Sequence, residues 1–287
     1  MTTPASALGA IPRVNVELRG VNKAYGEAWH RQQVIADLDL DVPAGQLTVV
    51  IGPSGCGKST LVGLIAGFER PDTGTIKIDG VPVGGPGNDR MVVFQETALM
   101  PWLTVRQNVS FGPRLRGDMD RATLKSETDR LIEKVGLREF KDKYPLQLSG
   151  GMQRRAELAR AMMNQPKLMI MDEPFRGLDA MSRELMQEFF LKLFEENRRT
   201  NLFVTSEIDE AIFLADRLVV LSNRPASVRA VIPIELPRPR AYDMLASEKA
   251  FEYKREALDI LHQEAMKSFK MGAGQSDFLE AYAKRAR

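Results

Sequence analysis

Leu47-Thr48-Val49-Val50-Ile51-Gly52-Pro53-Ser54-Gly55-Cys56-Gly57-Lys58-Ser59-Thr60 is the stretch on which the fold turns. Leu47–Ile51 is a continuous apolar run between Gly45 and Gly52. It predicts a strand buried on both faces, as parallel sheets require. Thr60–Ala66 predicts a helix. The residues between them fit G-x-x-x-x-G-K-[ST] in the strand–loop–helix setting that pattern needs. Gly52, Gly55 and Gly57 let the loop curl until its backbone N–H groups converge, with Pro53, Ser54 and Cys56 at the variable positions. The helix start at Thr60 adds positive partial charge, so the segment is a cradle for polyphosphate. Lys58 would reach the terminal phosphates, and the Ser59 hydroxyl would ligate Mg²⁺. Cys56 sits near a helix N-terminus, a place that lowers thiol pKa values; it also suits the loop simply as a small residue.

A second apolar strand, Leu168–Met171, runs into Asp172-Glu173-Pro174. Two acids after a strand often make only a polar turn. Beside a phosphate loop, the first is suited to the metal shell and the second to polarising a water. Asp172 is therefore assigned to Mg²⁺ and Glu173 to general base.

Around these segments, short β-rich runs alternate with helical patterns. Val14–Leu18, Val34–Leu40, Thr75–Ile78, Met91–Phe94, Leu202–Thr205 and Leu218–Leu221 read as strands. Gly151–Met163, Ser182–Glu196 and Glu207–Ala215 read as helices. The alternation predicts an α/β fold with a mainly parallel sheet, and the N-terminal strands predict an antiparallel side sheet. Residues 96–166 interrupt the pattern with helical periodicity at Thr123–Val135 and predict a helical insertion. Residues 1–13 form an N-terminal extension to a main domain over 14–240. Its Pro-rich end (Pro225, Pro233, Pro237, Pro239) leads into a charged helical tail over 241–287. There Phe251, Leu258, Leu261 and Ala265 recur at helical spacing.

The chain has 287 residues, 44% hydrophobic and 27% charged, which excludes a disordered or fibrous protein. Forty basic against 38 acidic residues leave a net charge of +2, with no field that favours nucleic acid or anionic lipid. The single cysteine excludes a disulfide framework and suits a reducing compartment. Apolar runs are far shorter than the ~20 residues of a membrane span. The first residues lack the basic and apolar regions of a secretory signal.

Leu148-Ser149-Gly150-Gly151-Met152-Gln153-Arg154-Arg155 resembles the signature motif of ABC-type ATPases. It lies in the family's usual order between phosphate loop and acidic strand. Ser149 and two glycines opening a helix make another anion site. The resemblance implies a P-loop NTPase of ABC type, with a mainly parallel core sheet, an antiparallel β side sheet and a helical subdomain. It implies ATP with Mg²⁺, clamped in a head-to-tail dimer in which Ser149, Gly150, Gly151 and Met152 face the nucleotide of the opposing subunit. Tyr25 resembles the aromatic that stacks on adenine, although a lone Tyr also suits core or surface. Gln95 resembles the Q-loop glutamine that touches Mg²⁺ and the water. Asp179, in Pro174–Asp179, resembles the acid that crosses the dimer interface. The match covers about residues 14–240. Met100–Val105, Asp209-Glu210-Ala211, Leu214–Arg217 and Leu236–Arg240 look like the importer group for nitrate, sulfonate, taurine and related anions. The implied partners are a second copy or a paralogous ATPase subunit, an integral membrane permease, and indirectly an extracytoplasmic solute-binding protein. The implied location is the cytoplasmic face of the inner membrane, peripheral through the permease.

One position departs from the family. Where a switch histidine normally bridges the terminal phosphate and the base, this chain has Ser206. Serine is shorter and stays neutral. Losing that contact lowers turnover roughly 10²–10³-fold if nothing replaces it. Three readings stay open: slow hydrolysis with Ser206 or a water as substitute, pairing with a histidine-bearing subunit, or an engineered change. A mainly regulatory nucleotide-binding subunit remains an alternative for the same reason. A soluble ABC ATPase of DNA repair or translation fits less well, because the insertion is compact and the phosphate loop single. Met100 and Trp102, after Gln95, make an apolar segment suited to receiving a permease helix, or to packing within the insertion.

Overall fold

A computed structural model describes residues 13–27 and 29–272. The expected N-terminal extension and the end of the tail, residues 1–12 and 273–287, lie outside the described residues. The chain opens with β1 (Val16–Tyr25), β2 (Gln32–Val42), β3 (Leu47–Ile51) and α1 (Lys58–Ala66). β4 (Thr73–Ile78), β5 (Val81–Pro82) and β6 (Arg90–Val93) follow. Three successive helices come next: α2 (Val105–Arg116), α3 (Arg121–Lys134) and α4 (Gly150–Met163). The chain then alternates through β7 (Leu168–Asp172), α5 (Ala180–Asn197), β8 (Thr200–Val204), α6 (Ile208–Leu214) and β9 (Arg217–Leu221). It ends with β10 (Val228–Pro233) and α7 (Glu248–Gly272).

The core sheet has the order β10-β9-β3-β8-β7-β6. All its pairings are parallel except that of β10 with β9. The second sheet, β2-β1-β4-β5, is antiparallel. Both expectations hold. The reason for the apolar run is visible in β3, whose five residues are all buried. Leu47, Val49 and Ile51 join a core with α5, α6 and the aromatic rings of Phe175, Phe190 and Phe203. Val50 faces the other way, with α1 and the antiparallel sheet. A strand covered on both faces cannot alternate polar and apolar residues.

Three elements escaped the sequence patterns, the two-residue β5 among them. α2 carries Gly112 and Pro113 within a polar sequence, so its periodicity is faint. Its start is fixed by a capping box: Thr104 accepts from Gln107 N at 3.3 Å and Thr104 N donates to the Gln107 side chain at 2.9 Å. β10 lies in the Pro-rich connector, at a sheet edge with Pro233 at its end, where proline is tolerated. The tail helix forms, but its apolar face is set differently from the sequence expectation. Phe251 is 63% and Leu258 44% exposed, whereas Ala250 and Ala257 are buried and Tyr253, Ile260 and Leu261 pack beside them. The small alanines let α7 lie close against the sheet edge and α6, which bulkier residues would prevent. Glu264 on the same helix is buried and pairs with Lys267 and Arg229.

The rings of Phe175, Phe190 and Phe203 sit 5.7–6.2 Å apart beneath the strand ends. Phe203→Ala would leave a cavity there and is expected to cost about 3–5 kcal/mol of stability, read as a lowered denaturant midpoint with an unchanged slope.

Candidate nucleotide site

The site is built on the carboxyl edge of the core sheet, where β3, β7 and β8 end side by side. Gly55 and Gly57, at φ of 72° and 127°, take backbone conformations that L side chains rarely adopt. A Cβ at Gly57 would also meet Val34 at 3.0 Å. α1 begins with no side-chain cap and no acid in its first turn. Its leading N–H groups stay available to an anion. By contrast α2, α3, α4 and α5 are capped by Thr104, Asp120, Ser149 and Asp179.

Within the loop, Lys58 is buried and its ammonium donates to the carbonyls of Gly52 at 2.9 Å and Pro53 at 3.2 Å. Ser59 is exposed at the helix start, and its hydroxyl lies near enough to the Asp172 carboxyl to lower its pKa. Burial pushes the Asp172 pKa up and the charge of Glu173 adds to the rise; Ser59 and Lys58 oppose it. Cys56 is fully buried, and burial raises its thiol pKa despite the nearby Lys58 and Arg224. The lowering expected near a helix N-terminus does not occur, because desolvation dominates. Cys56 is a small packed residue. Arg224, unremarked in the sequence, spans the loop's outer side by donating to Gly55 O through Nε at 3.1 Å and Nη2 at 2.6 Å.

Glu173 follows Asp172 at φ 45°, a left-handed conformation costly for a non-glycine residue. Its N–H donates to Val204 O at 2.8 Å, which ties the turn to β8. Thr205 N in turn donates to Val50 O at 3.1 Å, which brings Ser206 to the same edge. Ser206 Oγ donates to Glu173 Oε1 at 2.6 Å, and Arg176 Nη1 donates to Oε2 at 2.8 Å. The structure thus joins the phosphate loop, Asp172, Glu173 and Ser206. Tyr25 joins from the antiparallel sheet. Its ring is 40% exposed, and its hydroxyl reaches Thr60 at 3.4 Å and the Glu69 carboxylate.

Gln95 is exposed just beyond β6. Arg154 of α4 donates to Phe94 O at 2.8 Å and to Gln95 O at 2.6 Å, and pairs with Glu157 at 2.5 Å with both side chains buried. Sequence reasoning missed this anchor. Ser149 accepts from Met152 N at 3.3 Å and caps α4. Met152 packs on the core shared by α2, α3 and α4. A Cβ at Gly151 would meet nothing within 4 Å, and one at Gly150 only Leu178 at 3.7 Å. Packing within this chain therefore does not demand either glycine, and the helix tip is bare for another molecule. Asp179 accepts from Ser182 N at 2.9 Å, and its bonding to Ser182 holds its carboxyl below the usual range. Ser149 and Asp179 thus serve as helix caps in this chain, away from the loop's own contacts.

Beside Gln95 lies a cleft of about 320 Å³ lined by Phe68, Met91, Phe94, Ala98, Arg116 and Arg160. Phe68 and Phe94 are exposed and stacked 6.1 Å apart. Trp102 is 71% exposed but does not line it; Met100 is half-buried. The apolar floor comes from residues that the sequence pattern did not single out.

A family model described as ABC transporter matches residues 35–176. An uncharacterized ABC transporter ATP-binding protein of Methanocaldococcus jannaschii is 41% identical over 258 residues, 90% of this chain and 95% of that protein. A nitrate import ATP-binding protein of Synechococcus elongatus is 43% identical over 232 residues, 80% of this chain and 85% of that protein. Among solved structures, a dimeric post-hydrolysis state of an ATP-binding cassette bound to ADP and Pi is similar with TM-score 0.68 and 27% identity, over 77% of this chain and all of that one. This chain belongs to the ABC transporter family as one of its ATP-binding proteins, an ATPase coupled to transmembrane transport.

Proposed function

We propose that this chain powers an importer of a small anion, of the nitrate, sulfonate or taurine kind, by closing as a head-to-tail dimer against an integral membrane permease. The convergence of the phosphate loop, Asp172 and Glu173 on one sheet edge carries the reading. The likeness to a nitrate import protein supports the solute class. No helix among the described residues is long and apolar enough to cross a membrane. Attachment to the inner membrane's cytoplasmic face then runs through the permease, and an extracytoplasmic solute-binding protein is reached only indirectly.

The loop N–H groups and Lys58 hold the phosphates, and Tyr25 lies against the adenine. The site's oxygen donors fit Mg²⁺. Ser59 and Asp172 offer hard oxygen ligands, and Gln95 would join them as the family resemblance implies. Bound there, Mg²⁺ would neutralise phosphate charge. Glu173 accepts the proton of the attacking water, with Ser206 orienting its carboxylate. Ser149, Gly150, Gly151 and Met152 of one copy face the terminal phosphate of its mate, and Asp179 lies at that interface. A second reading, a low-activity or regulatory subunit or the partner of a competent paralogue, rests on Ser206 in place of histidine. ATP closes the dimer, closure moves the permease docked at the cleft and the Met100–Trp102 segment, and hydrolysis releases it.

Glu173→Gln is expected to cut ATP turnover by about 10²–10⁴-fold while ATP still drives dimerisation, measured by light scattering; loss of dimerisation with turnover intact would refute the assignment. Burial holds the Asp172 pKa above its ordinary value, so the folded state favours its protonated form. That contribution is full below the ordinary carboxylate pKa and is lost as pH rises through the raised value of the folded state. At neutral pH, Asp172→Asn should therefore melt higher without nucleotide and lose the extra Mg²⁺-dependent stabilisation by ATP, both read by thermal scanning. Trp102→Ala should weaken co-purification with the permease from detergent-solubilised membranes more than it weakens ATP binding; equal losses would refute docking at Trp102.

A further inference from the structure

The base at Glu173 is held from both sides. Each carboxylate oxygen has one donor from this chain: the neutral Ser206 hydroxyl at 2.6 Å on Oε1 and the Arg176 guanidinium at 2.8 Å on Oε2. The family resemblance implies a histidine where Ser206 stands, so the residue that normally supplies a cationic donor here cannot. Arg176 is a cation on the opposite oxygen of the same carboxylate.

The arm that carries Arg176 is short and fixed. Arg176 N donates to Glu173 O at 3.1 Å and closes a turn over Pro174 and Phe175. Pro174 locks its own φ. Phe175 is 1% exposed, with its ring 5.7 Å from Phe203 and 6.2 Å from Phe190. Glu173 is itself pinned through its N–H to Val204. Little ordering is left for the pair to bear. The Arg176 side chain is 64% exposed, so the ion pair adds little to folding stability. Its effect falls instead on the direction of the carboxylate.

The surroundings leave this task to Arg176. The cavity of about 200 Å³ beside Glu173 is lined by Ser54 of the phosphate loop, Thr205, Ser206, Arg183, Glu207 and Glu210, among others. Arg183 donates to Leu178 O at 3.1 Å, and the buried Glu210 accepts from Gln187 at 2.8 Å. Lys58 is turned to the loop carbonyls. Among the described residues, Arg176 is the cation paired with Glu173.

We infer that Arg176 is a positioning residue for ATP hydrolysis, supplying through Glu173 the cationic contact that Ser206 cannot. The inference rests on Glu173 acting as the base. It makes Ser206 compatible with a competent site in this chain, with no histidine-bearing partner required.

Steady-state ATPase assays on the full chain test it, with kcat and KM separated. Arg176→Ala should lower kcat about tenfold or more with KM for ATP nearly unchanged, whereas Arg176→Lys, which keeps the charge, should hold kcat within about threefold of the parent. Ser206→His should restore most of the rate lost in Arg176→Ala. A parent-like kcat in Arg176→Ala overturns the inference, and so does a slow Arg176→Ala that Ser206→His fails to rescue. Glu173→Gln separates the two levels. If it stays active, the base assignment falls and takes this inference with it. If it is inactive while Arg176→Ala runs at full rate, only the role of Arg176 falls.

Discussion

The site depends on backbone pairing at one place: β3 held between β8 and β9 in parallel register. Parallel strands in register end together. Hydrogen bonds just past the ends, Thr205 N to Val50 O and Glu173 N to Val204 O, extend that alignment by one step. The phosphate loop, the acid pair and Ser206 leave adjacent strands and meet as a consequence. The apolar faces of the same strands lock the register, since a slip of one residue would turn Val49 and Val50 to the wrong cores. The residues that do chemistry are thus aimed by residues that do none.

Helix ends divide by task. The N-termini of α3 and α5 are each satisfied by a side chain: Asp120 accepts from Ala122 and Thr123, and Asp179 accepts from Ser182. α1 instead begins at Gly57 without such a cap, at the end of a loop whose glycines take positive φ. Anion binding explains both features with one cause, because a side-chain cap would occupy the donors that phosphate needs. α4 is intermediate. Ser149 caps it, yet Gly150 and Gly151 leave the tip low without any internal packing that requires glycine.

Much of this was legible in the sequence, and the exceptions share a physical cause. β3 and β7 read correctly because doubly covered strands must be continuously apolar. The loop and the acids stood out because each is a run of adjacent residues, a local pattern that a sequence displays. α2 and β10 were hidden by Gly112, Pro113 and Pro233, residues that signal breaks yet are tolerated near a helix end or on a sheet edge. The tail helix was recognised but its buried face was not, because small Ala250 and Ala257 make the close contact while Phe251 points outward. The site residues that went unread are arginines. Arg154 holds Gln95 from 59 positions away and Arg224 holds Gly55 from 169 positions away, each through a backbone carbonyl. A carbonyl is present at every residue, so no local pattern marks these partnerships.

Those arginine contacts also decide what moves as a unit. Residues Phe94 to Thr104 have little secondary structure, yet several of them are tied to a helix. Arg154 takes the carbonyls of Phe94 and Gln95, Glu157 accepts from Ala98 N, and Arg160 donates to Ala98 O. Asn108 of α2 both donates to and accepts from Met100. Breaking the buried Arg154–Glu157 pair would strand a charge in a low-dielectric setting, so this seam resists local opening. The segment therefore travels with α4 and α2. Ser149 sits at the tip of that same α4. An anion pulling on the helix tip and a partner seated by the segment would act on one rigid body, and a shift at either is felt at the other without any intervening wire.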